Sequence, residues 1–187
     1  MGPMVQSITG EYTRYRALAE GALAQLSDAQ LAEPTPGNGN SVATICWHVA
    51  GNLRSRFTDF LATDGEKPWR QREEEFAARH VTHAALMAHW ERGWGALFDA
   101  LATLDDSMLG RTVTIRQQPL TVDQALLRSL AHVSYHVGQI VFAARMLQGA
   151  EWRFLSIPPG QSDAYNAKPT SETPTAHAAR ARDVARG

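Results

Sequence analysis

The most apolar segment of the sequence, Ala125 to Leu147, limits the folds that are open to this chain. Apolar residues recur in it at helical spacing, which predicts a helix from Val122 or Asp123 to Leu147 that ends at Gly149. Its inner stripe comprises Ala125, Ser129, His132, His136, Ile140 and Ala143, flanked by Val133, Val137 and Ala144. Such a face has to be buried against other helices, so the segment predicts a helical domain.

The same stripe carries two histidines, His132 and His136, spaced four residues apart. In a helix they lie one turn apart on one face, where both can bind one metal ion. An unpaired buried polar group costs about 1–3 kcal/mol, so two inward imidazoles need hydrogen-bond partners or a metal. The spacing alone leaves both interpretations open: a metal site or a pair of core histidines.

The best candidate for a third ligand is His48, in the predicted second helix. Ile45 and Asn52 share its face. Cys46 is turned by about 200° around that helix relative to His48, so we interpret it as a core residue. Three further histidines near the start of the third helix do not share one face and are predicted to lie on the surface; these are His80, His83 and His89. One more, His177, falls in the predicted C-terminal tail.

Three other helices and a hairpin are predicted from periodicity and from turn residues. The helices span Ile8 to Leu26, Val42 to Leu61 with Ser41 as N-cap, and Thr82 to Leu104; a short turn covers Ser27 to Leu31, and the hairpin strands Thr112–Arg116 and Leu120–Val122 flank the loop Gln117–Pro119. The fold class is therefore all-α, a four-helix bundle with a small β-hairpin before the last helix. One domain is expected over residues 1–167, its last part folding back across a bundle end, and residues 168–187 are expected to be a disordered tail.

Charge and cysteine content bear on partners and location. With 18 basic and 19 acidic residues the 187-residue chain has a net charge of -1, which argues against nucleic acid or an anionic membrane as a partner. A single cysteine and the lack of a secretory pattern at the N-terminus favour a soluble protein of the reducing cytoplasm.

A centre of three neutral imidazoles would leave a dipositive ion with open positions, as in catalytic metal sites. Imidazole suits zinc, nickel and iron, and also copper, so a divalent transition metal is expected without a choice among them. Gln139, one turn beyond His136, and Asn52, one turn beyond His48, are candidates to contact the ligands or a substrate.

Several motifs in order along the chain resemble the DinB/YfiT-like superfamily, and within it most closely the DUF1572 branch. They are Trp47–Asn52, Ile115–Arg116, His132–Ile140 and Leu155–Ser162. The resemblance implies a four-helix bundle that holds a metal through His48, His132 and His136. Several members of the branch have lysine where Pro159 stands here.

Characterised relatives in that superfamily include metal-dependent transferases that join low-molecular-weight thiols, such as bacillithiol or mycothiol, to electrophiles, and a mycothiol-dependent isomerase; many are dimers. The resemblance therefore implies a homodimeric metalloenzyme that activates a small thiol for attack on an electrophile. Gln139, Asn52 and Tyr135 are expected to place the second substrate. The alternatives are a metal-dependent hydrolase in which the ion activates water, and a non-catalytic metal-binding dimer of the stress response.

Overall fold

A computed structural model describes residues 1–37 and 39–186. The described chain is mostly helical, with one antiparallel hairpin. Its helices are α1 (Pro3–Leu23), α2 (Asp28–Ala32), α3 (Val42–Phe57), α4 (His83–Ala102), α5 (Val122–Gln148), α6 (Ser162–Ala167) and α7 (Pro174–Arg186), and its strands are β1 (Thr112–Ile115) and β2 (Gln118–Thr121). Short 3-10 turns occur at Glu73–Phe76, Asp106–Met108 and Gly149–Glu151.

Side-chain caps explain why several helices begin where they do. The Ser41 hydroxyl accepts a hydrogen bond from the Thr44 amide at 3.2 Å, which confirms the predicted N-cap of α3. Thr82 caps α4 in the same way through the Ala85 amide. The start of α1 differs from the prediction, because the helix begins at Pro3. There the Asp106 carboxylate, about a hundred residues away in sequence, accepts the first free amides.

Helix α3 ends at Phe57, before the predicted Leu61, because the backbone changes direction there. Thr58 is extended and Asp59 adopts a φ of 48°, a left-handed conformation that ends a right-handed helix.

The hairpin turn is also one residue earlier than predicted, at Arg116 and Gln117, with φ values of 54° and 62°. The carboxylate of Asp64 holds it by accepting both turn amides, at 2.8 and 2.7 Å.

Pro119, which was expected in the hairpin loop, lies in β2 and pairs with Thr114. Proline is tolerated here because β2 is an edge of a two-stranded sheet. The sheet leads directly into α5.

The core lies between α1, α3, α4 and α5, and its largest buried side chains include Trp90 and Trp94 of α4. Helices α3 and α4 approach closely where Gly93 faces Ala50. A Cβ added at Gly93 would lie 2.6 Å from the Ala50 Cα atom, so only glycine permits this approach. The contact fixes the position of α3 two residues beyond His48.

The C-terminal segment, for which a disordered tail was predicted, contains a further helix. Residues 174–186 form α7, which packs along α1, with Ala178 and Ala181 buried against Ala17. Small side chains allow this close packing, but they carry so little apolar surface that the sequence pattern resembles disorder. The preceding segment also packs on the core, through buried Trp152 and Leu155. Position 187 lies outside the described residues.

Among the described residues, no helix combines the length and the apolar content that crossing a lipid bilayer requires.

Candidate metal centre

The structure brings the three predicted ligands together where α3 meets α5. His48 comes from α3, and His132 and His136 from successive turns of α5, and one nitrogen of each lies within 4.8 Å of the others. The Nε2 atoms of His48 and His132 are 3.2 Å apart. Two nitrogens bound to one tetrahedral ion at about 2.0–2.1 Å would be about 3.3 Å apart, so the donor set fits a metal ion.

Hydrogen bonds on the far side of two rings direct the other nitrogen of each ring toward the centre. The Nδ1–H of His48 donates to Glu75 Oε2 at 2.9 Å, and the Nδ1–H of His136 donates to Gln139 Oε1 at 2.7 Å. A ring nitrogen that carries the proton cannot bind a metal, so each ring offers its Nε2 atom. Partners of this kind fix the tautomer and orientation of metal-binding histidines.

Glu75 belongs to a buried ion-pair network. Arg70 donates to both carboxylate oxygens of Glu75 at 2.8 Å, and its side chain is only 2% exposed. Burial would raise the pKa of Glu75, but the hydrogen bonds from Arg70 and His48 lower it below its usual range. Glu75 is therefore a carboxylate at neutral pH, and the chain His48–Glu75–Arg70 holds one ligand rigidly.

Sequence reasoning missed this network, because the stretch from Arg70 to Arg79 looks like a polar connection. Of the three consecutive glutamates in its 3-10 turn, only Glu75 is buried. One local signal was present in Gly51, one turn beyond His48. A Cβ added there would lie 2.8 Å from the carboxylate carbon of Glu75, so the glycine makes room for the acid.

The third ligand has a different environment. Among the described residues, the buried Nδ1 of His132 has no hydrogen-bond partner. Burial, followed by the neighbouring charges of His136 and His48, lowers the pKa of His132 to about 3. Burial also lowers the pKa of His136, although the Gln139 hydrogen bond opposes the shift. Both rings are therefore neutral at pH 7, which is the form that binds metals.

The other candidate residues surround this centre at different depths. Asn52 lines a cavity of about 210 Å³, together with His48 and His132. The side-chain oxygen of Gln139 already accepts the hydrogen bond from His136. Tyr135 is 65% exposed, and its ring lies edge-on to that of His136 with the centroids 5.0 Å apart. Their roles toward a substrate stay predictions.

Cys46 is fully buried, and burial raises the pKa of its thiol, in agreement with its interpretation as a core residue. Of the histidines predicted to be on the surface, His80 is exposed but His89 is not. The His89 ring stacks on Trp47 at 3.8 Å, and its Nε2–H donates to the Trp47 carbonyl at 3.3 Å. Its apolar contact surface comes from α3, which periodicity within α4 cannot reveal.

Comparisons with known proteins agree with the helical fold. The family described as protein of unknown function (DUF1572) matches residues 2–161. A conserved protein from Enterococcus faecalis has a similar crystal structure, with a TM-score of 0.58 at 20% sequence identity over 80% of this chain and 99% of that chain. Comparison with curated proteins gives no match. Because the family match spans most of its length, the chain belongs to DUF1572, a family whose function is unknown.

Proposed function

We propose that this protein is a metal-dependent enzyme with a four-helix bundle of the DinB/YfiT-like type, built from α1, α3, α4 and α5. The observation that carries the proposal is the convergence of His48, His132 and His136, with two of the three rings held by Glu75 and Gln139. Without a metal, a hydrogen bond between the Nε2 atoms of His48 and His132, which are 3.2 Å apart, would pair only two of the three rings.

A divalent transition metal such as zinc, nickel or iron would supply Lewis acidity here, and would lower the pKa of a thiol or of water near it. The protein's own groups would orient and select the reactants. His48 is kept in place by Glu75, and Asn52 offers an amide on the cavity wall beside it. Tyr135 offers a hydroxyl at the outer edge of the centre.

The reaction that we propose is transfer of a low-molecular-weight thiol to an electrophile. Its support is the DinB/YfiT-like motif series, together with a cavity that opens directly on two of the ligands. In this reaction the thiol proton passes to solvent and the sulfur forms a bond to the electrophilic carbon. The bond from that carbon to its leaving group, or to an epoxide oxygen, breaks, and its electron pair stays with the departing atom.

Elemental analysis of protein purified without chelator tests the metal. About one transition-metal ion per chain is expected in the wild type and in His80→Gln, an exposed histidine outside the cluster, whereas His132→Gln should lose it. A wild-type protein without stoichiometric metal, even after incubation with zinc, nickel and ferrous ions, would refute the proposal.

Assays of the metal-loaded protein test the reaction. Small thiols paired with alkyl or epoxide electrophiles should be consumed faster with wild-type protein than with His136→Gln, and ester or amide substrates should not. Ester hydrolysis that depends on His136 would instead establish a hydrolase. A filled coordination sphere together with no turnover of either class would favour the non-catalytic metal-binding protein.

We also propose a homodimer, supported by an exposed apolar stripe on α5. Tyr135, Phe142 and Met146 are 65, 68 and 51% exposed and share one helical face. Sedimentation analysis should give twice the mass of the chain for the wild type, and a monomer for Phe142→Glu. A monomeric wild type would exclude this assembly.

A further inference from the structure

The cavity beside the metal centre has an unusually basic wall. His48 and His132 form one side of it, so whatever occupies it also reaches two of the three ligands. Among the residues that the structure describes, the remaining wall has no acidic side chain but includes five arginines, Arg56, Arg70, Arg72, Arg116 and Arg128. Because the whole chain has a net charge of only -1, this concentration of positive charge is local.

Nearby carboxylates neutralise these arginines only in part. Glu66 alone forms ion pairs with three of them. Its carboxylate oxygens lie 3.1 Å from Arg56, 3.7 Å from Arg70 and 2.9 Å from Arg116. Glu75 pairs with Arg70, and Glu73 pairs with Arg72. Three carboxylates against five guanidinium groups leave two positive charges, before any metal is added.

Two of the arginines have room for a further partner. The Arg116 side chain is 57% exposed and shares Glu66 with two others. Arg128 is exposed and has no ion-pair partner among the described residues. Burial lowers the pKa of Arg56, and the charges of Arg70 and Arg116 lower it further against the opposing effect of Glu66. The cavity therefore carries positive charge that the nearby carboxylates do not neutralise.

A second observation points to a polar occupant. Ser129 lines the same cavity from α5, one turn before His132, and is only 8% exposed. Its hydroxyl oxygen is buried and lies near the hydroxyl of Tyr12, but forms no well-formed hydrogen bond among the described residues. A buried hydroxyl without a well-formed hydrogen bond costs up to about 1–3 kcal/mol, and an oxygen atom of a ligand would reduce that cost.

We propose that this cavity binds the oxyanion group, a carboxylate or a phosphate, of a small substrate whose other end reaches the histidine centre. The idea rests on the proposed function and names its substrate class. Guanidinium groups match the planar geometry of carboxylate and phosphate and bind them through paired hydrogen bonds. A volume of about 210 Å³ admits only a small group, below the usual range of about 300–1,000 Å³ for drug-sized ligands.

Isothermal titration calorimetry on chelator-treated protein at pH 8 and low salt tests the inference. Malonate and inorganic phosphate are the two anionic probes, and malonamide is the uncharged analogue of malonate. At least one anion should bind about tenfold more tightly than malonamide, and the double variant R116Q/R128Q should lose about tenfold of that affinity. Whichever anion binds more tightly identifies the group.

Arg153→Gln is the matched control, since Arg153 is exposed and lies outside the cavity. It should bind the anion as the wild type does, and the melting temperature of each variant verifies its fold. Equal affinity for malonate, phosphate and malonamide, or an equal loss in R153Q and R116Q/R128Q, would overturn the inference. Because no metal is present in these titrations, their outcome is separate from that of the elemental analysis.

Discussion

The interior of this protein has two parts that differ in how they are stabilised. Around Trp90 and Trp94 the helices bury mainly apolar side chains, and one hydrogen bond, from Trp90 to Glu20 at 3.3 Å, accompanies this packing. At the histidine centre, two of the three rings each depend on one specific contact, His48 on Glu75 and His136 on Gln139. An apolar core tolerates rearrangement, whereas a polar cluster loses its function when one partner is removed.

The two parts also differ in where their components come from. The tryptophans are one turn apart in a single helix, and face the other helices through ordinary helical spacing. The polar centre requires a ligand pair from α5, a ligand from α3 and an acid from the turn at Glu73–Phe76. Changes in the first part should therefore act mainly on stability, and changes in the second mainly on metal affinity.

Trp94→Ala should have the largest effect, because it removes a fully buried aromatic side chain from the core. We expect a loss of about 3–5 kcal/mol in the free energy of unfolding, measured by urea denaturation of the metal-free protein. Trp94→Phe should lose less and remain folded, and should bind metal as the wild type does. Trp69→Ala, at a half-exposed tryptophan, is the control. Reduced metal affinity in folded Trp94→Phe would contradict the expectation that changes in the apolar core act on stability and not on metal binding.

His132→Gln should reduce metal affinity by more than about a hundredfold, since one of three ligands is lost, which corresponds to more than about 2.7 kcal/mol. The unfolding free energy of the metal-free variant should fall by only about 0.5–1.5 kcal/mol, because His132 loses one contact, that of its Nε2 atom with His48, and its buried Nδ1 atom has no partner among the described residues. Competition with a chromophoric chelator measures the affinity. Unchanged affinity would exclude His132 as a ligand.

Glu75→Gln should reduce metal affinity by about 10–100-fold, the usual effect of losing a carboxylate that orients a metal-binding histidine. Stability should also fall, because Arg70 would keep only its longer contact to Glu66. Glu74→Gln changes the exposed neighbour and is the matched control. If both variants bound metal like the wild type, the proposed role of the His48–Glu75 contact would be wrong.

Much of this arrangement follows from the sequence, and the exceptions share a cause. Periodicity located α5 and the face that carries His132 and His136, because both are local properties of one helix. Glu75, the cap from Asp106 and the packing of α7 depend on contacts between distant segments. Those contacts involve single acids or alanines, which leave no repeating pattern.

His89 provides the smallest test, as a half-buried histidine outside the centre. Burial lowers its pKa to about 4, from an ordinary value near 6.5. Because the folded state favours the neutral ring, its contribution to stability is complete above pH 6.5 and is lost as the pH falls toward 4. The difference in unfolding free energy between wild type and His89→Gln should therefore shrink over that window. A difference independent of pH would contradict the lowered pKa of His89.

The closely packed glycines of the α3 region make the candidate metal centre sensitive to steric bulk alone. A methyl group at Gly51 would displace the carboxylate of Glu75, and one at Gly93 would push α3 away from α4 next to His48. Either substitution could abolish metal binding while every ligand, charge and hydrogen-bonding atom remains in the sequence. The presence of the histidines is thus insufficient to identify a centre of this kind. The glycines at positions 51 and 93 are also required for it to form.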